Sequence, residues 1–424
     1  MFLDLLPPPL KGTNFEIVKQ IAIINVQNEQ DMRDAMSIKT KYSRNVLTGK
    51  VGWATLPHFA VACFVVLCLA GCKKNTVSSA PPGPPWVAIN KSNSQIIDNR
   101  VNCLYTDDSG IVWVGTDQGA SYYIRGSWSQ FVDDLAYTTY SNGSQQTMHS
   151  VTCVTQGIDA SIWFGTRGGG IFQYAQFGQS YTWKRYTTND GIPYNLILSV
   201  DRVLASSNDA LRGQIWCATI AGVASFTPLT GGGGVWKTYT STSPGCSLPS
   251  NQVRAVAFNI NINNDNTDYS MWFGTSMPAG AAYIGRSGWQ SAVLLPSPYD
   301  LPITAIAFDA LNTGWFAKMQ GVSSYNIKTF EWHHYTNAST NGGLPPGTIN
   351  AVAVDIKSSS RTRWFGSNAG LIRFTDTVWT KYTRSNTALL PSDTITSLTF
   401  DRNHNLWIGT PGGIAVYNET GTIF

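Results

Sequence analysis

The sequence predicts an all-β protein, a single seven-bladed β-propeller of four-stranded blades, closed by an N-terminal outer strand around Trp86 that completes the last blade. Three observations carry this: the composition, a tandem repeat, and two sets of tryptophans, one of which has a member displaced to the front of the chain. The 424 residues are 43% hydrophobic and only 13% charged, with 39 Gly, 15 Trp and 18 Tyr. Few charges beside many glycines and aromatics suit short strands and tight turns.

From residue 86 the chain repeats, and a repeat decides the architecture before any other feature. One copy reads NRVNCLYTDDSGIVWVGTDQGASYY, Asn99 to Tyr123. Its Trp-x-Gly-Thr core recurs in varied form at Trp113, Trp163, Trp216, Trp272, Trp315, Trp364 and Trp407, six intervals that average 49 residues. Ahead of each lies a short apolar strand of the form V-x-x-L, beginning at Val101, Val151, Ile197, Val253, Ile303, Ile349 and Ile395. The two are joined by turns such as TDDSG, whose Asp and Asn side chains bond their own backbone. A third strand follows the glycine after each WxGT. Period-two alternation of β-branched residues argues against a helical repeat.

The fourth strand comes from the second set, a tryptophan with an aromatic three residues later: Trp128, Trp183, Trp236, Trp332 and Trp379, with Trp289 in a degenerate copy. Seven inner units need seven outer strands, and these are six. No tryptophan follows Trp407, whereas Trp86 stands in PPWVAIN ahead of the first unit. An open ring would leave costly strand edges. Lending the outer strand of the last blade from the N-terminus removes them, a closure common in propellers.

The combination N-x-V-x-x-apolar, D-x-x-G-x-x-W-x-G-T and G-apolar-apolar resembles the two-component regulator propeller repeat over about residues 86–424. That resemblance implies an extracytoplasmic sensing or binding propeller, often linked to glycans. In sensors of the family a further β-domain, a membrane span and a histidine kinase follow; none is recognisable in this sequence, so direct signalling activity does not carry over. Gly-His and Trp-Asp pairs of WD repeats are absent. The WFTE-like strand with a catalytic His and Glu, known from streptogramin-lyase propellers, is absent too.

Ahead of the repeat, residues 1–35 read as a mis-assigned start or an extension, and residues 36–71 as a lipoprotein signal peptide. The segment from Met36 is basic, HFAVACFVVLCLAG is short for a membrane span, and Leu69-Ala70-Gly71-Cys72 resembles a lipobox. A buried strand or an ordinary anchor is the alternative. Cys72 is then the lipidation site, residues 72–85 a Ser/Pro-rich linker, and the two lysines after Cys72 point to the outer membrane of a bacterial envelope. Cys103, Cys153, Cys217 and Cys246 lack metal-type spacing, so no metal and no cofactor is expected. Downstream of residue 71 the charges nearly balance, 22 Lys/Arg against 20 Asp/Glu, which gives nucleic acid no footing.

Candidate ligand contacts fall on the face formed by the loop after each WxGT strand and by the loop between blades. The residue after the first apolar position of each unit is Asn102, Thr152, Leu198, Arg254, Thr304, Asn350 or Thr396, with Arg254 alone charged. These either touch ligand or merely keep the channel wet. The loops after WxGT add Asp117, Gln118, Arg167, Met319, Gln320 and Asn368. The long segment after blade one adds Tyr137 and Tyr140, with rings suited to sugar stacking, unless it is simply a solvated loop. Asp107, Asp309, Asp355 and Asp401 recur once per blade and read as turn caps. No catalytic residue set is recognisable, as triad order, HExxH and P-loop are all missing. The expected function is non-catalytic capture of a glycan or small molecule. A protein-interaction scaffold at the envelope is the alternative, and a propeller lyase or hydrolase the weaker one.

Overall fold

The computed structural model describes residues 86–421 apart from 132–137, 140–144, 147–149, 178, 179, 205–210, 231, 261–268, 296, 356–361 and 420. The expected extension, signal peptide and linker, with Cys72, lie outside these residues, as do Tyr137 and Tyr140.

Seven four-stranded antiparallel sheets form among the described residues, with a two-stranded one, Thr138–Thr139 beside Gln145–Gln146. Their innermost strands are Val101–Thr106, Val151–Gln156, Ser199–Arg202, Val253–Ile260, Ile303–Phe308, Ile349–Val354 and Ser397–Phe400, in blades one to seven. Each packs beside the next, and the seventh meets the first. In blade seven the outer strand is Trp86–Ile89, antiparallel to Gly413–Tyr417 with Trp86 opposite Tyr417 and Ile89 opposite Ile414. The ring is therefore closed by its own two ends, as the tryptophan count predicts. Blades three and seven differ slightly: their inner strands start at Ser199 and Ser397 rather than at Ile197 and Ile395. Among the described residues no helix is long and apolar enough to cross a membrane.

Each part of the repeat has a local task. The inner indoles are buried between blades, and the N–H of Trp113, Trp315 and Trp407 donates to Asp107, Asp309 and Asp401 at 2.9–3.0 Å. The other oxygen of Asp107 accepts the backbone N–H groups of Ser109 and Ile111, at 2.8 and 2.9 Å, so one carboxylate folds the turn and aims the ring. Ser161, Gln214 and Ser270 take over the indole in blades two, three and four. The WxGT threonine closes its hairpin by donating to the carbonyl that opens the third strand, as Thr116 does to Gly119 at 2.9 Å.

Blade five departs from this pattern. Lys318 replaces the threonine, is 1% exposed, and donates from Nζ to the Tyr299 carbonyl at 3.3 Å. Between blades five and six, Arg363 pairs with Asp309 out of water and lies over the Trp315 ring. Cys103, Cys153, Cys217 and Cys246 are free thiols, and burial pushes Cys153 and Cys217 up to about 12, which leaves them as inert core side chains.

Candidate functional site

Strand direction defines two faces. The upper one carries the loops after WxGT and the loops that lead into each inner strand; the lower one carries the Asp-containing turns. All described candidate residues lie on the upper face.

In blades one, two, four, five and six the inner strand bulges just after its first apolar residue, between Val101 and Cys103 for example. The bulge frees the next side chain from the ladder and turns it toward the neighbouring blade. There it makes a latch. Asn102 Nδ2 donates to the Val151 carbonyl at 3.1 Å, Thr152 to Ile197 at 2.6 Å, and Asn350 to Ile395 at 2.9 Å. Thr304 reaches Ile349 in the same way, and Thr396 closes the circle on Val101 at 2.7 Å. These five residues, expected to face ligand or channel water, also fasten blade to blade. Leu198 has no group to donate, and Arg254 donates from Nε to Ser276 Oγ at 2.9 Å instead.

Blades one and two share one connected polar cluster. Asp117 Oδ1 accepts from Asn102 Nδ2 at 2.8 Å and from Ser150 Oγ at 2.9 Å. Its other oxygen faces Arg100 Nε at 3.1 Å, and Arg167 Nε donates to Ser150 Oγ at 3.2 Å. Partial burial alone would raise the Asp117 carboxyl; the Asn102 and Ser150 hydrogen bonds, with the Arg100 and Arg167 guanidinium groups, outweigh it and hold the pKa below its ordinary value. The Arg100 side chain is 66% exposed, so this charged, donor-rich surface is open to solvent.

Asn102, Asp117 and Arg167 are thus brought together. Arg100 and Ser150 belong with them but escape the sequence pattern, because they stand one residue before the first apolar position rather than after it. Asn350 and Asn368 form a separate pair, Nδ2 to Oδ1, at 2.8 Å in blade six. Arg254 and Gln320 sit apart in blades four and five, both exposed.

The family described as "Two component regulator propeller" matches residues 95–118 and 389–412. No curated protein sequence matches the chain. Among solved structures, the extracellular domain described for a hybrid two component system of B. thetaiotaomicron is 16% identical, with a TM-score of 0.59 over 78% of this chain and 41% of that one. A second B. thetaiotaomicron extracellular domain, described for a one component system, is 17% identical, with a TM-score of 0.57 over 78% and 39%. This chain therefore spans about two fifths of the length of either. An inactive virginiamycin B lyase from Staphylococcus aureus is 16% identical, with a TM-score of 0.53 over 78% of this chain and 98% of the lyase. At these identities the likeness is one of fold.

Proposed function

From a chain that is a seven-bladed propeller and matches the two-component regulator propeller family at residues 95–118 and 389–412, we propose a non-catalytic, extracytoplasmic ligand-binding protein whose upper face captures a polar, hydroxyl-rich molecule such as an oligosaccharide. The observation that carries this is the Asp117 cluster: an ionised carboxylate to accept hydrogen bonds from hydroxyl groups, flanked by two guanidinium groups, an amide and a hydroxyl. Such convergent, fixed polar groups suit recognition of a polyol. They do not suit proton transfer, because the Asp117 charge is held by its cationic neighbours.

Arg254, Asn350, Asn368 and Gln320 extend the polar contacts around the face, and Tyr137 and Tyr140 supply stacking rings from the segment after blade one. Cys72 anchors the chain by lipid to the envelope, at the outer membrane, and residues 72–85 serve as spacer. The lipobox-like LAGC carries that part of the proposal.

A thermal-shift screen of the full chain against oligosaccharides and small metabolites tests the reading, since a ligand that binds the folded form raises its melting temperature. A stabilising oligosaccharide is expected, with affinity lowered about tenfold or more by Asp117→Ala or Arg100→Ala, the loss of one charged hydrogen bond. If no sugar or small metabolite moves the melting temperature, or if Asp117→Ala binds like the parent, the proposal fails.

A further inference from the structure

A cavity of about 510 Å³ lies between blades two and three, a size that holds small ligands. Its floor is made by the rings of Trp163, Tyr186 and Phe226, and its walls by Gln173, Ala175 and Thr182 of blade two and by Pro228 and Leu229 of blade three. Trp163 and Tyr186 are nearly parallel, with centroids 5.6 Å apart and 13° between their planes. In blades one and four the residue opposite the inner tryptophan on the third strand is a tyrosine, Tyr122 or Tyr283, whose ring covers the indole at 4.9 or 4.4 Å. Gln173 takes that place in blade two and accepts a hydrogen bond from the Tyr186 hydroxyl at 3.1 Å. Between blades three and four, the buried Tyr269 stands three residues ahead of Trp272, where Gly213 precedes Trp216 and lines the cavity. The space that tyrosine rings fill at those junctions is open here.

Two charged side chains line this cavity, Asp159 and Lys184, and neither takes part in an ion pair among the described residues. Each is tied to one of the two parallel rings. Trp163 Nε1 donates to Ser161 Oγ at 2.8 Å, and Ser161 donates from its hydroxyl and its backbone N–H to Asp159 Oδ1, at 2.5 and 3.1 Å. Lys184 Nζ lies 4.9 Å from the Tyr186 ring centroid. A smaller cavity beside Trp364, of about 280 Å³, has its charges already engaged, Asp355 by His404 and Glu419 by Arg373. We propose that the cavity between blades two and three binds a zwitterionic aromatic molecule of the α-amino acid type, with its ring against the Trp163, Tyr186 and Phe226 floor, its ammonium toward Asp159 and its carboxylate toward Lys184. The ring finds aromatic partners there, and each charged end finds an opposite charge. A ligand of one sign would meet a like charge at the other end, so the pair selects molecules that carry both. The cavity shares no residue with the Asp117 cluster.

The test is isothermal titration of the full chain with L-tryptophan and L-phenylalanine, and with tryptamine, indole-3-propionate and indole as analogues that lack one charge or both. The two amino acids are expected to bind, the singly charged analogues about tenfold more weakly, and indole more weakly still, one charged contact being lost at each step. Asp159→Asn should weaken L-tryptophan about tenfold, to the level of indole-3-propionate, and Lys184→Gln should do the same, to the level of tryptamine. Lys184 is exposed, so its substitution leaves the core intact. Ala175→Phe, which fills the cavity, should abolish binding. Asp117→Ala should leave amino-acid binding unchanged, which separates this site from the one proposed for oligosaccharide. Absence of saturable binding by either amino acid would overturn the proposal. So would equal affinity for L-tryptophan and its singly charged analogues, or affinity indifferent to Lys184→Gln and Ala175→Phe.

Discussion

Val151 of blade two lies so close over Gly115 of blade one that a Cβ on the glycine would stand 2.6 Å from Val151 Cγ1 and 2.3 Å from Cys103 Sγ. The same approach recurs where Gly165 meets Ile197 at 2.7 Å, Gly274 meets Ile303 at 2.5 Å, Gly366 meets Ile395 at 2.6 Å and Gly409 meets Val101 at 2.8 Å. In these five blades the WxGT glycine therefore sets the spacing to the next blade, and each partner residue is fully buried; Ala218 and Ala317 take its place in blades three and five. Gly115→Ala should destabilise the ring by about 1–3 kcal/mol through overpacking. Denaturant unfolding checks this, and unchanged stability would remove the spacing role.

Trp86 packs on Tyr417 and Tyr382, at centroid distances of 4.7 and 5.5 Å, and its strand covers the edge at Gly413–Tyr417. Because the indole is only half-buried, Trp86→Ala should cost about 2 kcal/mol, less than a fully buried tryptophan. Removing residues 86–89 altogether should uncover a strand edge and cause self-association, visible by light scattering. A truncated chain that stays monomeric and equally stable would contradict closure by this strand.

Lys318 makes stability depend on pH. Burial pulls its pKa down to about 8 from an ordinary 10.5, against a partial offset from the Asp300 carboxylate. A lysine whose folded pKa lies below its unfolded one opposes folding wherever it is protonated, so the penalty is complete below the folded value and fades as pH rises toward the unfolded one. The shift corresponds to on the order of 3 kcal/mol. Lys318→Met should therefore be more stable than the parent at neutral pH, with the gain shrinking in alkaline solution. A variant no more stable at neutral pH would show that the Tyr299 carbonyl and ring already compensate the charge.

Much of the ring is legible in the sequence because its tryptophans are large, singly placed and periodic: the unpaired outer position at blade seven leads directly to Trp86. The polar cluster is half legible. Asp117, Asn102 and Arg167 follow from their places in the repeat, whereas Arg100 and Ser150 precede the repeat's first apolar residue and look like linker until the fold brings them over Asp117. The latches were hidden for a related reason. Asn102, Thr152, Thr304 and Asn350 alternate as channel-facing positions should, but the bulge at each of them turns its donor toward the next blade, and a bulge leaves no mark in a pattern of period two. Lys318, in the place of a threonine, gives the clearest unexplained signal in the sequence; its burial depends on the Tyr299 loop, which no local pattern supplies.

Amide hydrogen exchange of the full chain, with and without an oligosaccharide that stabilises it, locates the ligand on the upper face. Protection concentrated at residues 100–102, 116–119, 150–152 and 166–169 is the predicted result. Protection confined to other blades or to the lower face, with these segments unchanged, would contradict it.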